Sequence, residues 1–191
     1  MGNFVRESAV SMMSHTGEPP YGAAIDGATR RCSDGYLMID NLAKDLGLPL
    51  LKPYLDKGAD FTHGVNFAVT GATALGTATL SRRGITVAHT NSSLSVQLKW
   101  FKDFMAATTS SPQEIREKLA GSLVMVGEIG GNDYNYAFVA NKSVTGAEHG
   151  VYSTIRTTIG AVEAMTLVPQ VVQSVLSTGK EVLEMGAARM V

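Results

Sequence analysis

One cysteine, Cys32, stands in a chain of 191 residues, so no intrachain disulfide framework can form and no thiolate zinc site can be assembled. Long apolar runs are missing as well: no window approaches the roughly 18 uninterrupted apolar residues of a membrane span. Charge of one sign is balanced away, with 16 Lys and Arg against 17 Asp and Glu, a net charge of −1 and no run of like charge. This removes the electrostatic footprint of nucleic-acid or anionic-membrane binding. The opening residues Met1 to Ser8 lack the apolar core of a secretion signal, and Arg6 stands where a myristoylation pattern needs Ser or Thr. What is present is an ordinary globular composition, 45% apolar and 17% charged with 20 glycines, enough for one domain.

Residues 1–34 are rich in Ser, Gly, Pro and Thr and read as a loop, with Pro19 and Pro20 each locking φ and removing a donor. The spacing of Leu37, Ile39, Leu42 and Leu46 predicts a helix over 35–46, capped by Ser33 and ended at Gly47 and Pro49. Val65 to Val69 reads as a short buried strand turning at Thr70 to Thr73. Leu94, Leu98, Phe101 and Met105 recur at steps of four, three and four, which predicts a helix to about Ala107. Ser111-Pro112-Gln113-Glu114 starts a short helix to Leu119, with proline at its first position. Leu123 to Val126 is a continuous apolar run, as in a parallel strand covered on both faces. Helical spacing returns over 152–167 and 169–185, divided at Pro169, and Ala187 to Val191 reads as a strand onset. This β–α alternation implies an α/β domain with a parallel sheet.

Four words then occur in order: Pro19-Pro20-Tyr21-Gly22, Arg31-Cys32-Ser33-Asp34-Gly35, Gly64 to Thr73 (GVNFAVTGAT) and Gly127 to Tyr134 (GEIGGNDY). Together they resemble the plant GDSL esterase/lipase family, a branch of the SGNH hydrolases, from about residue 19 onward. The resemblance implies a partial, flavodoxin-like, three-layer α/β fold with a parallel sheet. It implies a hydrolase domain over 19–191 behind an irregular segment 1–18. It also implies a serine esterase: a serine attacks the ester carbonyl, a histidine held by an aspartate takes its proton, and preplaced donors receive the oxyanion. Position by position, Gly71 matches the family's oxyanion glycine and Asn132 its oxyanion asparagine. Read from its local residues alone, Gly71 is a tight βα turn before it is a donor, and Asn132 is a turn or helix cap.

The remaining machinery has no match. No Gly-Asp-Ser tripeptide occurs, and the first strand that should carry it has no counterpart. Ser14-His15-Thr16-Gly17 echoes a segment just after the family nucleophile, a register that puts Met12 in the nucleophile's place; Ser11 and Ser14 are the nearby hydroxyls. Asp60-Phe61-Thr62-His63 spells Asp-x-x-His, but before the glycine block, whereas the family's pair comes late; it reads as a polar loop entering a strand. Glu181 to Val191 resembles the helix and strand onset at mid-chain of family members, so the first strand and the C-terminal third are expected to be missing. His15, His89 and His149 have no metal-ligand spacing and no cofactor is implied, since ester hydrolysis needs only protein groups and water.

Two readings follow. In one, the chain is a GDSL-type hydrolase of small acyl or aromatic esters or lipids, inactive alone because its nucleophile and histidine are absent. In the other, it is a non-catalytic module that keeps the pocket to hold a ligand. A nucleotide-binding domain is disfavoured, because residues 127–131 have neither Gly-x-Gly-x-x-Gly nor a P-loop lysine. Sequons at Asn91 and Asn141 suit a typically secreted family, although no leader is read at the N-terminus. Tyr134, Tyr136 and Phe138 read as core, or else as the lining of an acyl pocket.

Overall fold

The computed structural model describes residues 18–25, 27, 31–87, 89–140 and 151–191, with backbone alone for 139–140 and 151–160. The chain divides into two units, Met1–Gly71 with Ala88–Thr90, and Ala72–Val87 with Asn91–Val191.

In the first unit, helix α1 spans Met38–Asp45 and is followed by two short strands, β1 (Lys52–Pro53) and β2 (Val65–Asn66). The strands pair in parallel, Lys52 opposite Val65 and Pro53 opposite Asn66. Helix α1 starts three residues later than its spacing predicts, because the Ser33 hydroxyl accepts from the Gly35 N–H (3.1 Å) and does not reach the helix. The start is held by Asp40, whose carboxylate turns back to accept from the Leu37 N–H at 3.0 Å. Gly47, in the left-handed region at φ 67°, closes the other end with its N–H on the Lys44 carbonyl.

The second unit is mostly helical: α2 (Thr77–Ser81), α3 (Leu94–Thr108), α4 (Pro112–Ala120), β3 (Leu123–Val124), α5 (Gly131–Ala140), α6 (Val151–Glu184) and β4 (Arg189–Met190). Strands β3 and β4 are parallel, and the ladder continues through the Val126 N–H to the Val191 carbonyl at 2.7 Å. Parallel pairing between strands separated by helices makes the chain α/β, as the alternation implies. Helix α6 is the spine. Its middle joins α5 in a cluster of Ala74, Leu75, Leu80, Ile85, Ala137, Leu167 and Val171. Its second half joins α3 and α4 around Met105, Leu119, Val182 and Ala187.

Three expectations change. The predicted break at Pro169 is absent: α6 runs through it. Proline removes the hydrogen bond to the residue four back, and that residue, Met165, lies on the exposed side of the helix at 71% exposure. Strand β3 is not covered on both faces, since Leu123 is 44% exposed. Helices α2 and α5 have no counterpart in the sequence reading, α5 because Gly131-Asn132-Asp133 reads as a turn while it forms the helix's first turn. Tyr134 and Tyr136 on α5 pack against the first core cluster, which favours their core reading.

Candidate active site

The first two words meet within the first unit. The Gly22 N–H donates to the Ser33 carbonyl (3.1 Å) and the Ala24 N–H to the Asp34 carbonyl (2.7 Å). Arg31 anchors this pair of turns to α1, its Nε lying 3.1 and 2.9 Å from the two carboxylate oxygens of Asp40, which is 2% exposed. Asp40 thus joins a helix start to a loop through one buried, fully partnered carboxylate. In the third word, the Asn66 side-chain oxygen accepts from the Ala68 N–H (2.8 Å) and turns the chain out of β2. Gly71 is buried at φ 79°, a backbone state that a Cβ would strain.

The end of the third word and the fourth word meet within the second unit, around Ala72 to Leu75. The Asn132 Nδ2 donates to the Ala72 carbonyl at 2.8 Å. Because a carbonyl can only accept, the atom facing it is the amide nitrogen, which assigns the orientation of the side chain. The Thr73 carbonyl accepts from the Leu94 N–H (2.9 Å), so it satisfies one orphan donor at the start of α3. The Ala74 carbonyl accepts from the Ser174 hydroxyl of α6 (2.8 Å). The Asp133 carboxylate accepts from the Ala74 N–H (2.8 Å) and the Leu75 N–H (2.9 Å), one on each oxygen. Thr73 adds an internal bond from its hydroxyl to the Leu75 carbonyl (2.7 Å).

Thr73 and Asp133 are completely buried, and Ala74 is 1% exposed. Burial raises the Asp133 carboxyl above the usual range, opposed by the backbone N–H groups of Leu75 and Ala74 and by its own. The Tyr136 phenol is pushed up to about 12, first by burial and then by the charge of Asp133. Gly130 belongs to the same construction: at φ 109°, a Cβ there would meet Val171 of α6 at 2.9 Å. Asp133, Thr73 and Ser174 are residues the sequence reading did not single out. Asp133 lay inside the fourth word, but Ser174 stands 100 residues from its partner and carries no local signal.

Other candidates fare differently. Ser11, Met12, Ser14, His15, Asn141 and His149 lie outside the described residues. The Asp60 carboxylate accepts from both the Thr62 N–H and its hydroxyl, a local turn that lowers its pKa; the charge of His63 contributes least. Asp60 and His63 line a cavity of 130 Å³ beside Lys52 and Leu51, in the loop entering β2. Asn91 is exposed just before α3, while Ser93 of its sequon is buried. Among the described residues, no three His, Cys, Asp or Glu side chains are grouped to hold a metal ion. None of the described helices is long and apolar enough to cross a membrane.

The family model described as GDSL-like Lipase/Acylhydrolase matches residues 7–187. Acetylajmalan esterase 1 of Rauvolfia serpentina is 39% identical over all of this chain, which covers 46% of that protein. A second protein of that plant, acetylajmalan esterase, is 40% identical over 90% of the chain and 40% of its own length. A GDSL esterase/lipase of Arabidopsis thaliana is 40% identical over 97% of the chain and 44% of its own length. The chain therefore spans about half the length of the curated relatives it matches. No solved structure matches it. On a match covering nearly all of its residues, with the glycine and asparagine words intact, the chain belongs to the GDSL-like lipase/acylhydrolase family.

Proposed function

We propose that residues 19–191 form the oxyanion-binding portion of a carboxylic ester hydrolase acting on small acyl or aromatic esters or lipids. The Asn132 amide is a donor that receives the oxyanion, and the family resemblance assigns Gly71 the same role. When a hydroxyl adds to an ester carbonyl, the C=O π pair moves onto oxygen. Donors already aimed at that oxygen stabilise the transition state without reorganising. The observation that supports this reading is the seating of Asn132. One N–H of its planar amide is committed to the Ala72 carbonyl, so the direction of the other is set. Esterase names among the relatives agree with the reaction class. Without a recognisable Gly-Asp-Ser or a late Asp-x-x-His, this chain alone turns over no ester, and its own property is binding of an ester-like anion.

The test combines binding and turnover on folded chain. p-Nitrophenyl methylphosphonate, an anion shaped like the intermediate, is titrated by NMR against wild type and Asn132→Ala. The variant is expected to bind about tenfold more weakly, the effect of one charge-assisted hydrogen bond. Equal affinity would overturn the role of Asn132. In parallel, p-nitrophenyl acetate hydrolysis is followed beside a serine-directed fluorophosphonate read by intact mass. No adduct and no Asn132-sensitive rate are expected; one adduct with a rate lost in the variant would refute the missing nucleophile and direct attention to Ser11 or Ser14.

A further inference from the structure

We infer that Asp133 is a positioning residue: through the Ala72–Leu75 segment it sets the direction in which the Asn132 amide points. The inference rests on the role proposed above for Asn132, but its geometry stands alone. Asp133 is fully buried, and its two oxygens hold two successive N–H groups, those of Ala74 and Leu75. On the other side of the same segment, the Ser174 hydroxyl holds the Ala74 carbonyl and the Leu94 N–H holds the Thr73 carbonyl. A peptide gripped by acceptors at its N–H groups and donors at its carbonyls cannot slide without leaving a buried polar group unpaired. Ala72 leads that segment, and its carbonyl takes the Asn132 Nδ2. An amide carries its two hydrogens in one plane, so where Ala72 sits decides where the second hydrogen of Asn132 points.

The residue type fits the task. Two N–H groups in succession need an acceptor with two oxygens and no hydrogen, which a carboxylate supplies. An asparagine of the same shape would turn an NH₂ group against one of the two N–H donors. A glutamate would push the segment away by one methylene in a site with no space to spare. Asp133 also follows Asn132 directly in α5, so the donor and the clamp that aims it are carried by one helical turn.

The experiment reads Asn132 itself, in the full chain labelled with 15N at asparagine, with the side-chain signal identified by its loss in Asn132→Ala. Shift and solvent exchange of its two Nδ2 hydrogens are compared in wild type, Asp133→Asn, Ser174→Ala and Leu119→Ala. Leu119 belongs to the separate core cluster around Met105 and controls for lost stability. Asp133→Asn is expected to move the Asn132 signal and to speed exchange of the bonded hydrogen about tenfold, with a smaller change of the same sign in Ser174→Ala. Should Asp133→Asn fail to fold, Ser174→Ala decides the matter, because it loosens the same segment from the far side. An unchanged Asn132 signal in the folded variants, or an equal change in Leu119→Ala, would overturn the inference. No ester enters the measurement, so a negative hydrolysis or phosphonate result leaves it standing, and its own failure leaves the ester reading untouched.

Discussion

At the scale of single residues, buried carboxylates do the organising work, one in each unit. Asp40 accepts from Arg31 and from a helix start, whereas Asp133 accepts from the backbone N–H groups of Ala74 and Leu75. Burial raises the Asp133 carboxyl above the usual carboxylate range. A carboxyl whose folded pKa lies above its unfolded value stabilises fully below the unfolded value, near pH 4, and loses that stabilisation as pH rises through the folded value. The stability of wild type over Asp133→Asn is therefore expected to shrink from pH 4 towards neutrality in urea unfolding. A gap that widens over that range would show that the N–H groups outweigh burial. The words of the sequence marked Asn132 and Gly71 by type, but Asp133 acquires its place from Ala74 and Leu75, nearly sixty residues away.

At the scale of elements, α6 shows where local rules yield to packing. Proline in a helix interior costs about 3 kcal/mol, and the sequence places Pro169 at a boundary, where a first helical turn tolerates it. The helix passes through because Leu167 and Val171 on either side are buried in one core cluster, and Val182 further on in another. Their burial outweighs one lost hydrogen bond on the solvent side. Pro169→Ala should raise stability by about 1–3 kcal/mol and slow amide exchange around Met165. No change in either would mean that the helix is already relaxed at that turn. Helix α4 is the opposite case, legible in full: Ser111 caps it by accepting from the Glu114 N–H, and Pro112 opens it. Capping is a matter of neighbours in sequence, so the sequence displays it.

At the scale of the whole molecule, α6 also turns an apolar strip to solvent. Val162, Met165, Val172 and Leu176 are 56%, 71%, 47% and 62% exposed, and their steps of three, seven and four place them on one side of the helix. The buried Leu167, Val171 and Val182 occupy the opposite side. Contiguous exposed apolar surface favours association. Sedimentation of the isolated chain is expected to show concentration-dependent self-association, relieved in the Met165→Lys, Leu176→Lys double variant. A wild-type chain that stays monomeric at high concentration would show that the strip is too narrow to drive it.

The sequence by itself determined the α/β class, the family and the approximate place of α1, α3, α4 and α6. These depend on periodicity, caps and words read along the chain. Tertiary structure alone decided that α6 is unbroken, that Gly131 opens a helix, and that Ala72 to Leu75 is held by Asn132, Asp133, Ser174 and Leu94. Those bonds join residues about 20 to 100 positions apart. Such partners are selected by which faces can be buried together, a property of the folded chain and not of any stretch within it.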